Sequence, residues 1–181
     1  MATRTEIALY SLLAASVALF LYSLTDSGAR VLASVADSAG ALFMTRGIRN
    51  CNPGNIRIGS GWKNSYRNQA ECEAAGRVWD SEFVVFYTMA DGVRALGHLL
   101  LNYQSDYGID TIDGIVSRYA PASDNNDTAS YINFVAGELG VSPGTHLAVN
   151  DSLTPLASAI MFRETGYQNA PSVIDQWVHM S

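Results

Sequence analysis

"ADGVRALGHLLLNYQSDYG", residues 90–108, decides the fold. Val93, Leu96, Leu99, Leu100 and Tyr103 recur every three or four positions, which lays one apolar stripe along a 3.6-residue repeat and predicts a helix. The stretch before it, "EFVVFYTM" at 82–89, carries consecutive β-branched and aromatic residues and reads as a short strand. After it, "TIDGIVSRYA" makes a shorter helix that Pro121 ends. A polar loop then leads to a helix capped by Asp127 or Thr128 that buries Tyr131, Ile132, Val135 and Leu139. Thr154-Pro155 follows the order of cap and then proline, so another helix starts there with Leu156, Ile160 and Met161 turned inward. Ser172 caps the last helix, which carries Val173, Ile174 and Trp177.

Towards the N-terminus the pattern changes. "RGIRNCNPGNIRIGSGW", residues 46–62, is too rich in Asn, Gly and Pro for a long regular element. Its Asn-Pro-Gly-Asn core at 52–55 is a turn, serving either as a structural corner or as a ligand shelf. Ile56 and Ile58 alternate with Arg57 as a short strand would. Residues 46–181 are thus expected to form one mainly α-helical domain with a small strand-rich insertion near its start. Aromatic residues at helical spacing, such as Tyr103, Phe134 and Trp177, belong to its core.

Residues 1–45 are a different material. From 7 to 25, "IALYSLLAASVALFLYSLT" contains no charge and is long enough to cross a bilayer as a helix. An N-terminal transmembrane or long apolar helix is the expectation. A helix buried in a protein assembly and a cleavable signal ending near Ser34-Val35-Ala36 are the alternatives. Residues 26–45 keep helical spacing but carry Asp26, Arg30 and Asp37, as an interfacial segment or a continuation of the helix would.

Composition narrows the function. Across 181 residues there are 11 Lys+Arg against 17 Asp+Glu, a net charge of -6, which argues against a phosphate-binding surface and hence against nucleic acid as a partner. The 9 Tyr and 3 Trp suit either a core or a polymer read by stacking and hydrogen bonds. His98, His146 and His179 are far apart and never at ligand spacing, so no metal and no cofactor is expected. Cys51 and Cys72 either pair as one disulfide or stand separately.

The pieces "RGIRNCNPGNIR...W", "F..F", "DGVRAL..LL.NY", "TI..IV.RYAP..DN.....Y...V" and a late "AI...E.G" together resemble a group of phage and prophage proteins of the lysozyme-like class. These include virion-associated peptidoglycan-degrading enzymes, often described only as phage structural proteins. The similarity covers nearly all of residues 46–181. Many members have Asn where this chain has Cys51. The resemblance implies an α+β lysozyme-like domain that cleaves the MurNAc–GlcNAc glycan strand as a lytic transglycosylase or muramidase during phage entry or release. In lytic transglycosylases one Glu sits at a helix end in an "E-[ST]-G" context, and "RETGYQNAPS" at 163–172 is similar to it. Related glucosaminidases place a turn similar to residues 52–57 after their catalytic Glu. Here the segment upstream of that turn is apolar and offers no Glu in the expected place.

The chemistry asks for a carboxyl that can protonate the leaving oxygen. Glu164 follows Ile160 and Met161 at helical spacing and is the first candidate; the alternative is an ordinary helix-end carboxylate. Glu82, before "FVVF", is the second, and Glu71 and Glu73 in an exposed insertion come after it. Asp124 and Asp127 are candidates for a second carboxylate or simply solvate and cap a loop. Asn52, Asn55, Tyr119 and Tyr131 can bond acetamido and hydroxyl groups while stacking on sugar, so they are the candidate substrate-binding residues. Expected partners are the peptidoglycan glycan strand, a lipid membrane through residues 7–25 and other virion proteins, in a virion or a host envelope with the domain on the periplasmic side. Two other functions compete: a non-catalytic minor structural virion protein, and a cell-wall endopeptidase, for which no Cys/His pair or metal set is apparent.

Overall fold

The computed structural model describes residues 44–59 and 61–180. Thr45–Ser181 form one compact unit, and the helices of the described residues all belong to it. Their order is α1 (Arg46–Arg49), α2 (Gln69–Ala74), α3 (Met89–Tyr107), α4 (Ile112–Tyr119), a 3-10 turn (Ala122–Asp124), α5 (Thr128–Leu139), α6 (Leu153–Thr165) and α7 (Pro171–Val178).

Helix α3 is the longest, and its ends are written locally. The Thr88 side chain accepts from the Asp91 N–H while the Asp91 carboxylate accepts from the Thr88 N–H, a reciprocal capping box. At the other end Gly108 takes the left-handed conformation, with φ 66°. Along its stripe Val93, Leu96, Leu100 and Tyr103 are buried, while Leu99 is only half-buried. Helix α3 packs on α6 and α7, α6 packs on α5 and α7, and α4 packs on α5. One apolar core results, with Leu96, Leu100, Ile115, Leu156, Ile160 and Met161 completely buried. Each such side chain contributes about 1.5–3 kcal/mol.

The expected α+β, lysozyme-like architecture with a strand-rich insertion is corrected: the described residues are helical and contain no strand. Their extended stretches meet only as isolated antiparallel bridges, Arg57 with Phe83, Ser65 with Phe86 and Thr111 with His146. Residues 82–87 do find backbone partners, but these change at almost every step. Val84 donates to the Ile56 carbonyl, Tyr66 to that of Val85, Phe86 to that of Asn50 and Tyr87 to that of Asn64. No ladder can propagate because the partner segment turns away at Cys51, Asn55 and Asn64, whose φ values are 51°, 46° and 55°. Among the described residues no helix is long and apolar enough to cross a membrane. The span expected at residues 7–25 lies outside them.

Two helix starts also differ from expectation. Helix α6 begins at Leu153, which puts Thr154 and Pro155 inside its first turn, where an absent proline N–H leaves no bond unmade. Helix α7 begins at Pro171 with Ala170 at its cap position, so Ser172 lies within it. For α5, the cap is Asp127, which accepts from the Ser130 N–H at 3.1 Å.

The irregular segment before α2 is clamped to α3 at one glycine. A Cβ at Gly92 would collide with the Cys51 carbonyl, a backbone atom that cannot rotate aside, and would lie 3.1 Å from Pro53 Cδ. Gly92→Ala is therefore expected to destabilise the protein by about 2 kcal/mol, the usual scale of overpacking. Urea unfolding would read this as a lower midpoint at unchanged slope.

Candidate functional site

Glu164 is the last carboxylate of α6 and lies one turn beyond Ile160 on the helix's buried side. The helix stops directly after it: Thr165 turns its hydroxyl back to the Met161 carbonyl at 2.7 Å, and Gly166 takes φ 68°. The carboxylate is therefore delivered at a helix end, half-buried, where the core opens into a groove. That groove has a cavity volume of about 380 Å³. It is lined by the turn at Gly54–Arg57, by Trp62 and Phe83, and by Leu99, Tyr103, Arg118, Tyr119 and Pro121. Asp124, Asn126 and Glu164 complete it.

Two donors hold the acid. Asn55 Nδ2 donates to Oε2 at 2.8 Å, and Tyr131 Oη donates to Oε1 at 2.9 Å. Three segments far apart in sequence thus meet at one carboxylate. Tyr131 is 5% exposed, and burial, with Tyr119 and the Glu164 charge adding to it, pushes its phenol far above the ordinary tyrosine value. Burial and the Glu164 charge act the same way on Tyr119. Both phenols therefore stay neutral donors in any working range. Asn55 stands at φ 46°, and its Oδ1 is a buried acceptor with no partner among the described residues.

The remaining candidates separate into those in the groove and those outside it. Tyr119 lines the groove and donates its hydroxyl to the Gly54 carbonyl, which anchors the turn to α4. Asn52 is fully buried, and its side chain is consumed by backbone: Nδ2 donates to the carbonyls of Ile56 and Val84 at 2.9 and 3.0 Å, and Oδ1 accepts from the Ile56 N–H. It locks the turn instead of facing a ligand. Glu82 is not among the groove's lining residues; its side chain is 57% exposed and pairs with Arg46 at 2.7 Å. Glu71 and Glu73 sit on α2, Glu71 bonded to Arg67, and neither lines the groove. Asp124 does line it, 3.2 Å from Arg57 Nη2, whereas Asp127 caps α5.

The disulfide held open for Cys51 and Cys72 is not formed; both are free thiols. Cys51 accepts from Arg77 Nη2 at 3.2 Å, and burial pushes the Cys72 thiol upward. Among the described residues no group of three or more His, Cys, Asp or Glu is placed to hold a metal.

Sequence reasoning passed over Asp80. Its side chain is 1% exposed, and it receives Arg46 through two bonds of 2.6 Å, Asn50 Nδ2 at 2.8 Å, and the N–H groups of Glu82 and Phe83 at 3.0 and 3.1 Å. The signal was present in "WDSEF", where an Asp can accept from the N–H groups two and three residues on. Arg118 was also passed over as a groove residue.

No model of a known protein family matches the chain. It is similar to "Protein P5" of Pseudoalteromonas phage PM2, with 37% identity over 142 residues, which span 75% of this chain and 84% of the relative.

The Asp80 cluster carries a pH signature. Burial alone would raise its carboxyl, but the donors from Arg46, Asn50, Glu82 and Phe83 outweigh it and hold the carboxyl well below the usual range. A depressed carboxyl contributes stability above its unfolded value of about 3.9, and that contribution fades as pH falls below it. Asp80→Asn is expected to cost about 3 kcal/mol at neutral pH, with the gap to the unaltered chain narrowing in acid below about pH 4. Urea midpoints of both proteins across pH would show whether the gap closes.

Proposed function

From the premise that this chain belongs to the family of protein P5 of phage PM2, we propose that it is a virion protein whose groove binds the peptidoglycan glycan strand and cleaves it between MurNAc and GlcNAc. Glu164 is the acid–base residue. The observation that carries this reading is the Glu164 carboxylate at a helix end, open to a groove of about 380 Å³ and gripped by Asn55 and Tyr131. Aromatic and amide groups line the same groove, and these are the groups that stack on sugar faces and bond acetamido oxygens.

The reaction needs only one carboxyl. Protonated Glu164 gives its proton to the bridging oxygen as the C1–O bond breaks. The resulting carboxylate then takes the proton of the muramyl 6-hydroxyl while that oxygen bonds C1, closing an anhydro ring and restoring the acid. Asn55 suits both states, since a carboxamide presents a donor to the carboxylate and, turned over, an acceptor to the acid. Hydrolysis would call for a second carboxylate across the sugar. Asp124 is the other acid lining the groove, and Arg57 already neutralises it.

A second reading is a minor structural virion protein that does not cleave. The relationship to a phage protein supports it without any catalytic assumption. The engagement of both Glu164 oxygens by protein donors is also what a purely structural carboxylate shows.

The test is mass spectrometry of purified peptidoglycan digested by the full chain and by Glu164→Gln. Anhydromuramyl products that fall at least about 100-fold in the variant are expected, the usual effect of losing a general acid. Reducing-end sugars would instead mean hydrolysis, and released peptides an endopeptidase. No product from the unaltered chain, with folding confirmed by circular dichroism, would leave the structural reading in place.

A further inference from the structure

Four charged residues line the groove: Arg57, Arg118, Asp124 and Glu164. Three are committed, Arg57 to Asp124 and Glu164 to Asn55 and Tyr131. Arg118 has no carboxylate partner and no side-chain hydrogen bond among the described residues. It is nevertheless held: its guanidinium lies 3.8 Å from the ring centroid of Tyr107 and 5.3 Å from that of Tyr103. Cation–π contact with the two rings places this exposed guanidinium and leaves its N–H groups free, the fork that matches the two oxygens of a carboxylate.

In a chain of net charge -6, an uncommitted cation in the wall of a groove favours an anion on whatever enters. A neutral polysaccharide would offer Arg118 hydroxyl and carbonyl acceptors but no negative charge for a bidentate pair. We propose that Arg118 is a specificity residue that binds a carboxylate carried by the glycan's muramyl units, either on the lactyl arm itself or on the peptide attached to it. This inference rests on the glycan-binding reading above. Tyr103 and Tyr107 are positioning residues for the guanidinium, and because Tyr103 also lines the groove, the clamp and the sugar-binding wall are continuous.

The experiment uses the full chain carrying Glu164→Gln, so that strands are not consumed, and compares it with the same chain also carrying Arg118→Gln. Three probes are titrated: muramyl strands stripped of peptide, strands bearing peptide, and chito-oligosaccharides of matched length, which carry no carboxylate. The expected result is a preference for the acidic strands over the neutral oligomer that falls about tenfold in Arg118→Gln, the scale of one lost charge-assisted bond. Arg118→Lys, with the charge but not the fork, should fall between the two. Loss of preference confined to peptide-bearing strands assigns the carboxylate to the peptide, and loss with stripped strands assigns it to the lactyl arm. An unchanged preference in Arg118→Gln overturns the proposal while leaving glycan binding intact. Binding of none of the three probes by the chain with Arg118 in place overturns the glycan reading and this inference together.

Discussion

The groove side of this domain depends on one buried carboxylate, that of Asp80. An isolated charge removed from water is strongly unfavourable, so Asp80 is tolerable only because a guanidinium, a carboxamide and two backbone N–H groups converge on it. Convergence works in both directions. Arg46 and Asn50 draw the short helix α1 and the following turn onto the segment around Asp80, and Phe86 N–H then donates back to the Asn50 carbonyl at 2.9 Å. A stretch with almost no regular secondary structure is thereby made rigid.

That rigidity reaches the acid through a short series of close contacts. Asn52 closes the turn on itself, Tyr119 fastens Gly54 to α4, and α1 lies directly against the end of α6. The approach at Gly47 is so near that a Cβ there would be 2.6 Å from Thr165 Cγ2 and 2.8 Å from Asn55 Oδ1. Asn55 therefore meets Glu164 at a fixed place, although 109 residues separate them. Helices supply the stiff ends and irregular chain supplies the polar groups, the usual division of labour between scaffold and site.

The electrostatics of the groove differ from those of the chain as a whole. Its two cations and two carboxylates balance, in a protein with an excess of acidic residues. A balanced, aromatic-lined groove favours a ligand bound by hydrogen bonds and stacking, with charge used for selection and not for bulk attraction. The glycan strand proposed as ligand is of that kind, rich in hydroxyl and acetamido groups and carrying carboxylates only at its muramyl units.

Apolar periodicity already determined much of the helical part. Helix α3 runs from Met89 to Tyr107 where the spacing of Val93, Leu96, Leu100 and Tyr103 places a helix at 90–108, and α4 stops before Pro121, because stripes, caps and prolines act within a few residues of one another. The same local signals misread 82–89 as a strand: its composition is right, but a strand exists only if a partner runs beside it, and left-handed turns at Asn55 and Asn64 remove that partner. Asn55, Tyr131 and Glu164 could each be named from chemistry. That Asn55 and Tyr131 bind Glu164, that Asn52 is spent on backbone and that Glu82 points to solvent were decided only by the tertiary structure. Residue type states what a side chain can bond, whereas long-range packing determines which partner is within 3 Å.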